Sequence, residues 1–260
     1  MTYPIVRLPP LAAPVDQLWH VLLNLSEQLT VPWTLVGGQM VLLHAVEHGR
    51  VPPQISQDGD LIADVRSEQG AITAVVDLLT GTGFELDGIS PEGLAHRYVR
   101  PALPRSVAID VLAPEGLGPN TNLTTTKPGR TVEVPGGTQA LERSEQVEVH
   151  HENRRALVPR TSLLGAVVGK TAACALPGNN NRHLRDLALL CAGPRPRPVQ
   201  PRRKADGQGQ ATAGLRPAPG RPVAPGLATR ALRRPRAGVS GLPDPHPLTG
   251  ALDCKGSWPP

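Results

Sequence analysis

Trp33-Thr34-Leu35-Val36-Gly37-Gly38-Gln39 and, after an apolar segment, Asp58-Gly59-Asp60-Leu61-Ile62-Ala63-Asp64-Val65 are the residues on which the fold turns. The first run is short, apolar and bounded by Gly37-Gly38, the pattern of a buried strand ending in a turn. Gln39 to His48 reads as a helix packed behind the glycines. The second run reads as a strand that opens on two carboxylates. Residues two apart in a strand share a face, so Asp58 and Asp60 project side by side. Neighbouring carboxylates repel and want a proton, a cation or water. A divalent ion held by oxygen ligands is the sharpest of these readings.

Upstream, residues 1–13 read as an extended leader. Val15, Leu18, Trp19, Leu22, Leu23 and Leu25 then recur at three and four, which predicts an amphipathic helix over 15–29 behind Pro14. Downstream, Ile72, Val75, Val76, Leu78 and Leu79 predict a helix over 68–80, ended by Gly81-Thr82-Gly83. Short strands are expected at Phe84–Leu86 and Leu94–Val99. The clearest strand is Ser106–Ala113, with Asp110 between β-branched residues. Further strands are expected at Thr131–Val134 and Val147–His150. Pro159 leads into a helix over 162–176 that carries Lys170, and a second helix over 182–192 completes a hairpin. Alternating strands and helices predict an α/β (α+β) fold with a mixed sheet.

Charge and composition divide the chain. Residues 193–260 hold twelve Lys/Arg against three Asp/Glu, whereas residues 1–192 hold fifteen against nineteen. The basic character therefore belongs to the last quarter and is no sign that the folded part binds nucleic acid. That quarter also holds fourteen of the thirty prolines and one aromatic residue, Trp258. With no apolar periodicity it cannot offset its ordering entropy and is expected to be disordered. Its Pro/Arg/Gly/Ala bias, starting in mid-helix without a capping signal, is what a GC-rich gene read out of frame would give. Its arginines would hold nucleic acid only weakly and nonspecifically, through phosphates, because no aromatic residues are interleaved for stacking. The three cysteines have no metal-ligand spacing; two lie in apolar helical patterns, where a buried free thiol is the commoner role. They fit a reducing cytoplasm, and no signal peptide or membrane span is read.

Singly, an Asp-x-Asp is often a solvated loop entering a strand, and Gly-Gly after a strand is often just a turn. Together, in the order strand, Gly-Gly, helix, Asp-x-Asp, strand, with Asp110 on a later strand, they suit nucleotidyl transfer. That chemistry needs metal ions to neutralise a triphosphate and activate the attacking oxygen. The layout resembles the nucleotidyltransferase superfamily with its polymerase-β-like fold, and is most similar to the AbiEii-like group, which includes type IV toxin–antitoxin toxins. The matching residues are Leu35-Val36-Gly37-Gly38-Gln39, His44, Arg50, Ser56-Gln57-Asp58-Gly59-Asp60, Asp110, Lys170 and Arg182-His183-Leu184-Arg185-Asp186.

The resemblance implies a role for each position. Asp58, Asp60 and Asp110 would be catalytic and hold Mg2+ (or Mn2+), with Asp110 helping to activate the acceptor. Gly37 and Gly38 would cradle the phosphates of an NTP, Lys170 would meet the triphosphate, and Asp186 would position that lysine. It implies a nucleotidyltransferase core over 14–135, a strand and helical hairpin over 136–192 completing the nucleotide pocket, and a tail outside the fold. The acceptor is open among RNA, protein and small molecule, and a cognate antitoxin is an implied partner. The alternative is a catalytically impaired protein that acts by binding, or a truncated gene product. Two departures bear on the site: Pro52-Pro53 lengthens the link between Gly38 and Asp58, and Gly59 replaces an apolar residue, which would loosen the strand. His44 and His48, one helical turn apart, are expected to pack or hydrogen-bond rather than hold a metal. His150 and His151 point to opposite faces, and Asp64 is a minor candidate on the Asp58 face.

Overall fold

The first helix owes its place to its apolar stripe. In the computed structural model, which describes residues 2–178 and 180–193, α1 (Val15–Gln28) buries Leu18, Trp19, Leu22, Leu23 and Leu25. Each fully buried side chain of this size contributes about 1.5–3 kcal/mol relative to exposure. The helix packs on a mixed sheet of nine strands. These are β1 (Ile5–Arg7), β2 (Trp33–Val36), β3 (Asp58–Ala63), β4 (Glu85–Leu86), β5 (Arg97–Arg100), β6 (Val107–Pro114), β7 (Val132–Val134), β8 (Ser144–His151) and β9 (Arg154–Thr161). Their order is β1-β8-β9-β2-β3-β6-β5-β4, with β7 also pairing β6. The mixed α/β architecture is the one the alternation of elements predicts.

The remaining helices are α2 (Gly37–Glu47), α3 (Ala71–Gly81), α4 (Gly137–Glu142), α5 (Leu163–Cys174) and α6 (Asn181–Cys191). Among the described residues no helix is long and apolar enough to cross a membrane. The expectations for residues 194–260, including disorder and phosphate binding, lie outside the described residues.

Three elements were not legible in the sequence. The leader contains β1, a parallel partner of β8 at the sheet edge. Gly136-Gly137 is not a plain turn: Gly136, at φ +81°, caps α4, which begins at Gly137. Strand β9 was hidden by Pro159, which cannot donate to a ladder. It is tolerated because β9 pairs with β2 only through Leu35 and Arg160. The strand expected from Leu94 begins only at Arg97; Leu94 makes an isolated bridge to Arg130.

Gly59 has a packing role rather than a loosening one. It is buried, and a Cβ there would lie 2.8 Å from Ile109 Cδ1 and 3.1 Å from Leu18 Cδ1. The glycine lets α1 sit close to the sheet face opposite the Asp58/Asp60 face. The last helix is also better closed than its sequence suggested. Gly193 has φ +64°, as at a glycine-terminated helix, and an Arg50 amino group donates to the Ala192 carbonyl at 2.8 Å. The cysteines depart from expectation: Cys191 is exposed and Cys174 only partly covered.

His44 and His48 bind backbone, as expected. His44 Nε2–H donates to the Thr161 carbonyl at 3.0 Å, and His48 Nδ1–H to the His44 carbonyl at 2.8 Å. Burial, then the Arg160 guanidinium, push the His44 pKa down to about 4 from the usual 6.5. The unfolded chain therefore binds more protons between pH 4 and 6.5. Stability from this group is full above pH 6.5 and lost as pH falls toward 4, by about 3 kcal/mol. Chemical denaturation at pH 7 and pH 4.5 should show a steeper loss in wild type than in His44→Gln. Parallel losses in the two proteins would exclude this source.

Candidate active site

The three acidic residues meet through strand register. β3 and β6 are parallel neighbours, and Asp60 stands opposite Asp110, so the two side chains share a face. Asp58, two residues before Asp60, lies on the same face. Asp64 does not join them. It lies beyond β3, where its carboxylate accepts from the Arg66 and Ser67 backbone N–H groups and the Ser67 hydroxyl.

The glycine pair is part of α2, not a turn ahead of it. Gly37 and Gly38 are the first two residues of that helix. Gly37 has φ +66°, and a Cβ on it would overlap the Asp60 carboxylate; a Cβ on Gly38 would overlap Ser56. The Gly38 N–H donates to Asp60. Asp60 thus sits at the positive end of a helix dipole, at contact distances that only glycine permits. Gly37→Ala is expected to cost about 2 kcal/mol or more, from a left-handed backbone and the clash. A thermal melt checks this; an unchanged Tm would mean that Asp60 can move aside freely.

The long segment before Asp58 is anchored. Gln39, buried on α2, donates to the Ser56 carbonyl at 2.6 Å. The Ser56 hydroxyl donates to the Asp58 carboxylate and accepts from Arg182. Pro52 and Pro53 line a cleft instead of displacing the carboxylates. The cleft encloses about 1220 Å³ and is also lined by Gly38, Ser56, Asp58, Asp186 and five arginines, 50, 97, 105, 182 and 185.

Two of these arginines touch the acidic group. Arg97 lies opposite Asp110 across the antiparallel β5–β6 pair. Its guanidinium donates to both Asp110 carboxylate oxygens, at 3.2 and 3.1 Å, and comes within 3.7 Å of Asp58 and of Asp87. Arg182 lies 3.6 Å from Asp58. Lys170 and Asp186 meet across the α5–α6 hairpin, Nζ to Oδ2 at 2.7 Å, and Lys170 is buried. The pair is a charge contact rather than a well-directed hydrogen bond, since Asp186 Oδ2 has no hydrogen-bond partner.

Electrostatics separates the three aspartates. Burial pushes Asp58 up, but the Ser56 hydroxyl, Arg182 and Arg97 outweigh it and hold it below its ordinary value. Burial, then the Asp58 charge, push Asp60 up to about 6 against the pull of Lys170 and Arg182. Burial, then Asp60, push Asp110 up to about 7, although Arg97 pulls it down. Asp58 is thus well compensated, Asp110 has the Arg97 guanidinium set against burial and two neighbouring carboxylates, and Asp60 relies on charges that act from further away. Three hard oxygen donors on one face suit a divalent ion such as Mg2+.

The sequence-predicted residues Gly37, Gly38, Asp58, Asp60 and Asp110 are brought together on one side of the sheet. Lys170 and Asp186 form their own pair, close enough for Lys170 to influence Asp60. Sequence reasoning missed Arg97 and did not assign Arg182 a role. The alternation around Arg97 hinted at a strand, but only the register with β6 places it on Asp110.

No family model matches the chain, and no curated protein matches it. Solved structures similar to it include an antigenic nucleotidyltransferase-like protein from Paracoccidioides brasiliensis, 14% identical, with TM-score 0.43, covering 70% of this chain and 78% of that one. The lincosamide antibiotic adenylyltransferase LnuA, lincomycin-bound, is 16% identical, with TM-score 0.38, covering 67% of this chain and 94% of that one. ANT(2")-Ia in complex with adenylyl-2"-tobramycin is 13% identical, with TM-score 0.37, covering 68% of this chain and 88% of that one.

Proposed function

We propose that this chain is a nucleotidyltransferase that moves a nucleoside monophosphate from an NTP to an acceptor hydroxyl. The observation that carries the reading is the Asp60–Asp110 register, with Asp58 on the same face, at the start of α2 and beside an arginine-lined cleft. In this reading residues 14–135 form a polymerase-β-like core, and 136–192 complete the nucleotide pocket.

Asp58, Asp60 and Asp110 would hold Mg2+ or Mn2+, which when bound supplies charge neutralisation at the triphosphate and a more acidic acceptor hydroxyl. Arg182, exposed at the cleft and anchored on Ser56, is placed to pair with phosphate oxygens. The N-terminus of α2 favours anions in the same direction. Lys170, held by Asp186, adds fixed positive charge behind Asp60. Asp110, on the neighbouring strand, would complete the metal group and help to activate the acceptor hydroxyl.

The acceptor is an RNA end, a protein hydroxyl or a small molecule, and a toxin-like role in the cytoplasm with a cognate antitoxin is the biological form of this reading. Incubation with each labelled NTP and Mg2+ tests it. Asp58→Ala and Asp60→Ala should abolish transfer and weaken metal-dependent NTP binding; equal NTP binding by wild type and both variants would show the assigned site to be wrong.

A second reading has a specific observation behind it. Arg97 already lies between Asp110 and Asp58, a position a cation would take. An impaired binding protein of the same fold would keep that arginine in place. Absence of any Mg2+-dependent shift in Tm would favour it.

A further inference from the structure

We infer that Asp16, His20 and His151 form a metal site apart from the Asp58 group, selective for Zn2+-like transition ions. Asp16 and His20 are one turn apart on α1 and so share a face. His151 ends β8, and Glu152 follows it in the two-residue turn to β9. Among the described residues, Asp16, His20 and His151 are the group of three whose ligand atoms all lie within 4.8 Å of one another.

His151 Nε2 and Asp16 Oδ1 are hydrogen-bonded at 2.9 Å, and an ion bound there would replace the shared proton. The two imidazole centroids are 5.0 Å apart and tilted by 52°. Ligands on a tetrahedral ion with bonds of about 2.0–2.1 Å stand roughly 3.3–3.4 Å from one another. The His151–Asp16 pair would open by about 0.4–0.5 Å to reach that spacing, and the remaining ligand atoms lie within 4.8 Å of one another. Two imidazoles with one carboxylate make a neutral-nitrogen and oxygen set that favours Zn2+, and also binds Co2+ and Ni2+, over Mg2+ or Ca2+.

Glu152 stands outside the group of three, as an exposed partner 3.4 Å from His20. Glu152 is the non-glycine residue with positive φ, +51°, among the described residues. Asn or Gly is the usual choice there. A glutamate at that position puts a carboxylate over His20 at the expense of backbone comfort.

This site is separate from the Asp58 group. β9 runs parallel to β2, and its Arg160 end stands beside Leu35, near the start of α2. His151 pairs with Arg154 at the other end of β9, six residues or about 20 Å away. With three protein ligands the site keeps one position open to water. It would tie the start of α1 to the tip of the β8–β9 hairpin, which Arg154 also joins to α1 through the His20 carbonyl and Glu27.

The test uses the full chain and ZnCl2 alone, with MgCl2 as the contrast. Wild type should bind one Zn2+ at this site by calorimetry, with a raised Tm. Co2+ loading should give the visible absorption of a tetrahedral N/O site. His20→Gln should weaken Zn2+ binding by at least about 100-fold, more than loss of an outer-shell partner costs. Asp16→Asn should weaken it by about 10-fold or more, whereas Glu152→Gln, at an exposed turn outside the group, should change it little. Asp60→Asn should leave Zn2+ binding at this site unchanged. Undiminished Zn2+ binding in His20→Gln, or no Zn2+ effect in folded wild type, would overturn the inference.

Discussion

Asp60→Asn is expected to melt several degrees above wild type at pH 8 and, in the proposed transferase, to lose nucleotidyl transfer by about 10³-fold or more. The loss of transfer follows from removing a carboxylate of the proposed metal group, and the gain in stability from the titration of that same carboxyl. Burial and the Asp58 charge raise the Asp60 pKa to about 6, from an ordinary 3.8. Between those values the folded state holds more protons than the unfolded chain, so stability present at low pH is lost as pH rises through 6. Above that pH the ionised carboxylate costs on the order of 2–3 kcal/mol, and Asn at the same size removes the charge. For a domain of this size each kcal/mol moves Tm by about 2–4 °C.

Mg2+ should raise the Tm of wild type at pH 8 by supplying the missing charge, less so at pH 5.5, and scarcely at all in Asp60→Asn. A variant less stable than wild type at pH 8 would mean that Asp60 is already compensated and that the site needs no ion.

The opening stretch showed most of the frame because its signals are local. An apolar run, two glycines and an alternating acidic strand each declare themselves within a few residues. The convergence of Asp110 with Asp60 was expected from acidic residues on separate strands as well as from resemblance, and physically it rests on parallel register between β3 and β6, which no local pattern encodes. Arg97 escaped for the same reason: its partner lies across an antiparallel pair. Gly59 was misread because its justification, Leu18 and Ile109, comes from other elements. β9 was lost to Pro159, whose missing N–H matters only if a neighbour needs it. His151 was correctly placed on the opposite face from His150, but its companions Asp16 and His20 come from a helix more than a hundred residues earlier.

Lys170→Met is expected to destabilise the chain by about 3–5 kcal/mol, the cost of stranding a buried charge. Lys170 is about 6% exposed, and the Asp186 side chain 18%. Without the ammonium, Asp186 keeps a largely covered carboxylate without its partner, and Asp60 loses one of the charges that lower its pKa. Asp186→Leu alone should cost less, because the Lys170 ammonium still has Asp60 nearby. The double variant Lys170→Met/Asp186→Leu should recover most of the loss, giving a coupling of about 2 kcal/mol or more in a double-mutant cycle by urea denaturation. Activity separates two roles for the pair. If Lys170 only holds α5 against α6, the stable double variant should transfer nucleotide normally. If it also faces the triphosphate, the double variant should fold well yet show a raised KM for NTP. The raised KM is the outcome expected here, because Lys170 already acts electrostatically on Asp60, and a phosphate bound beside Asp60 would lie within the same field.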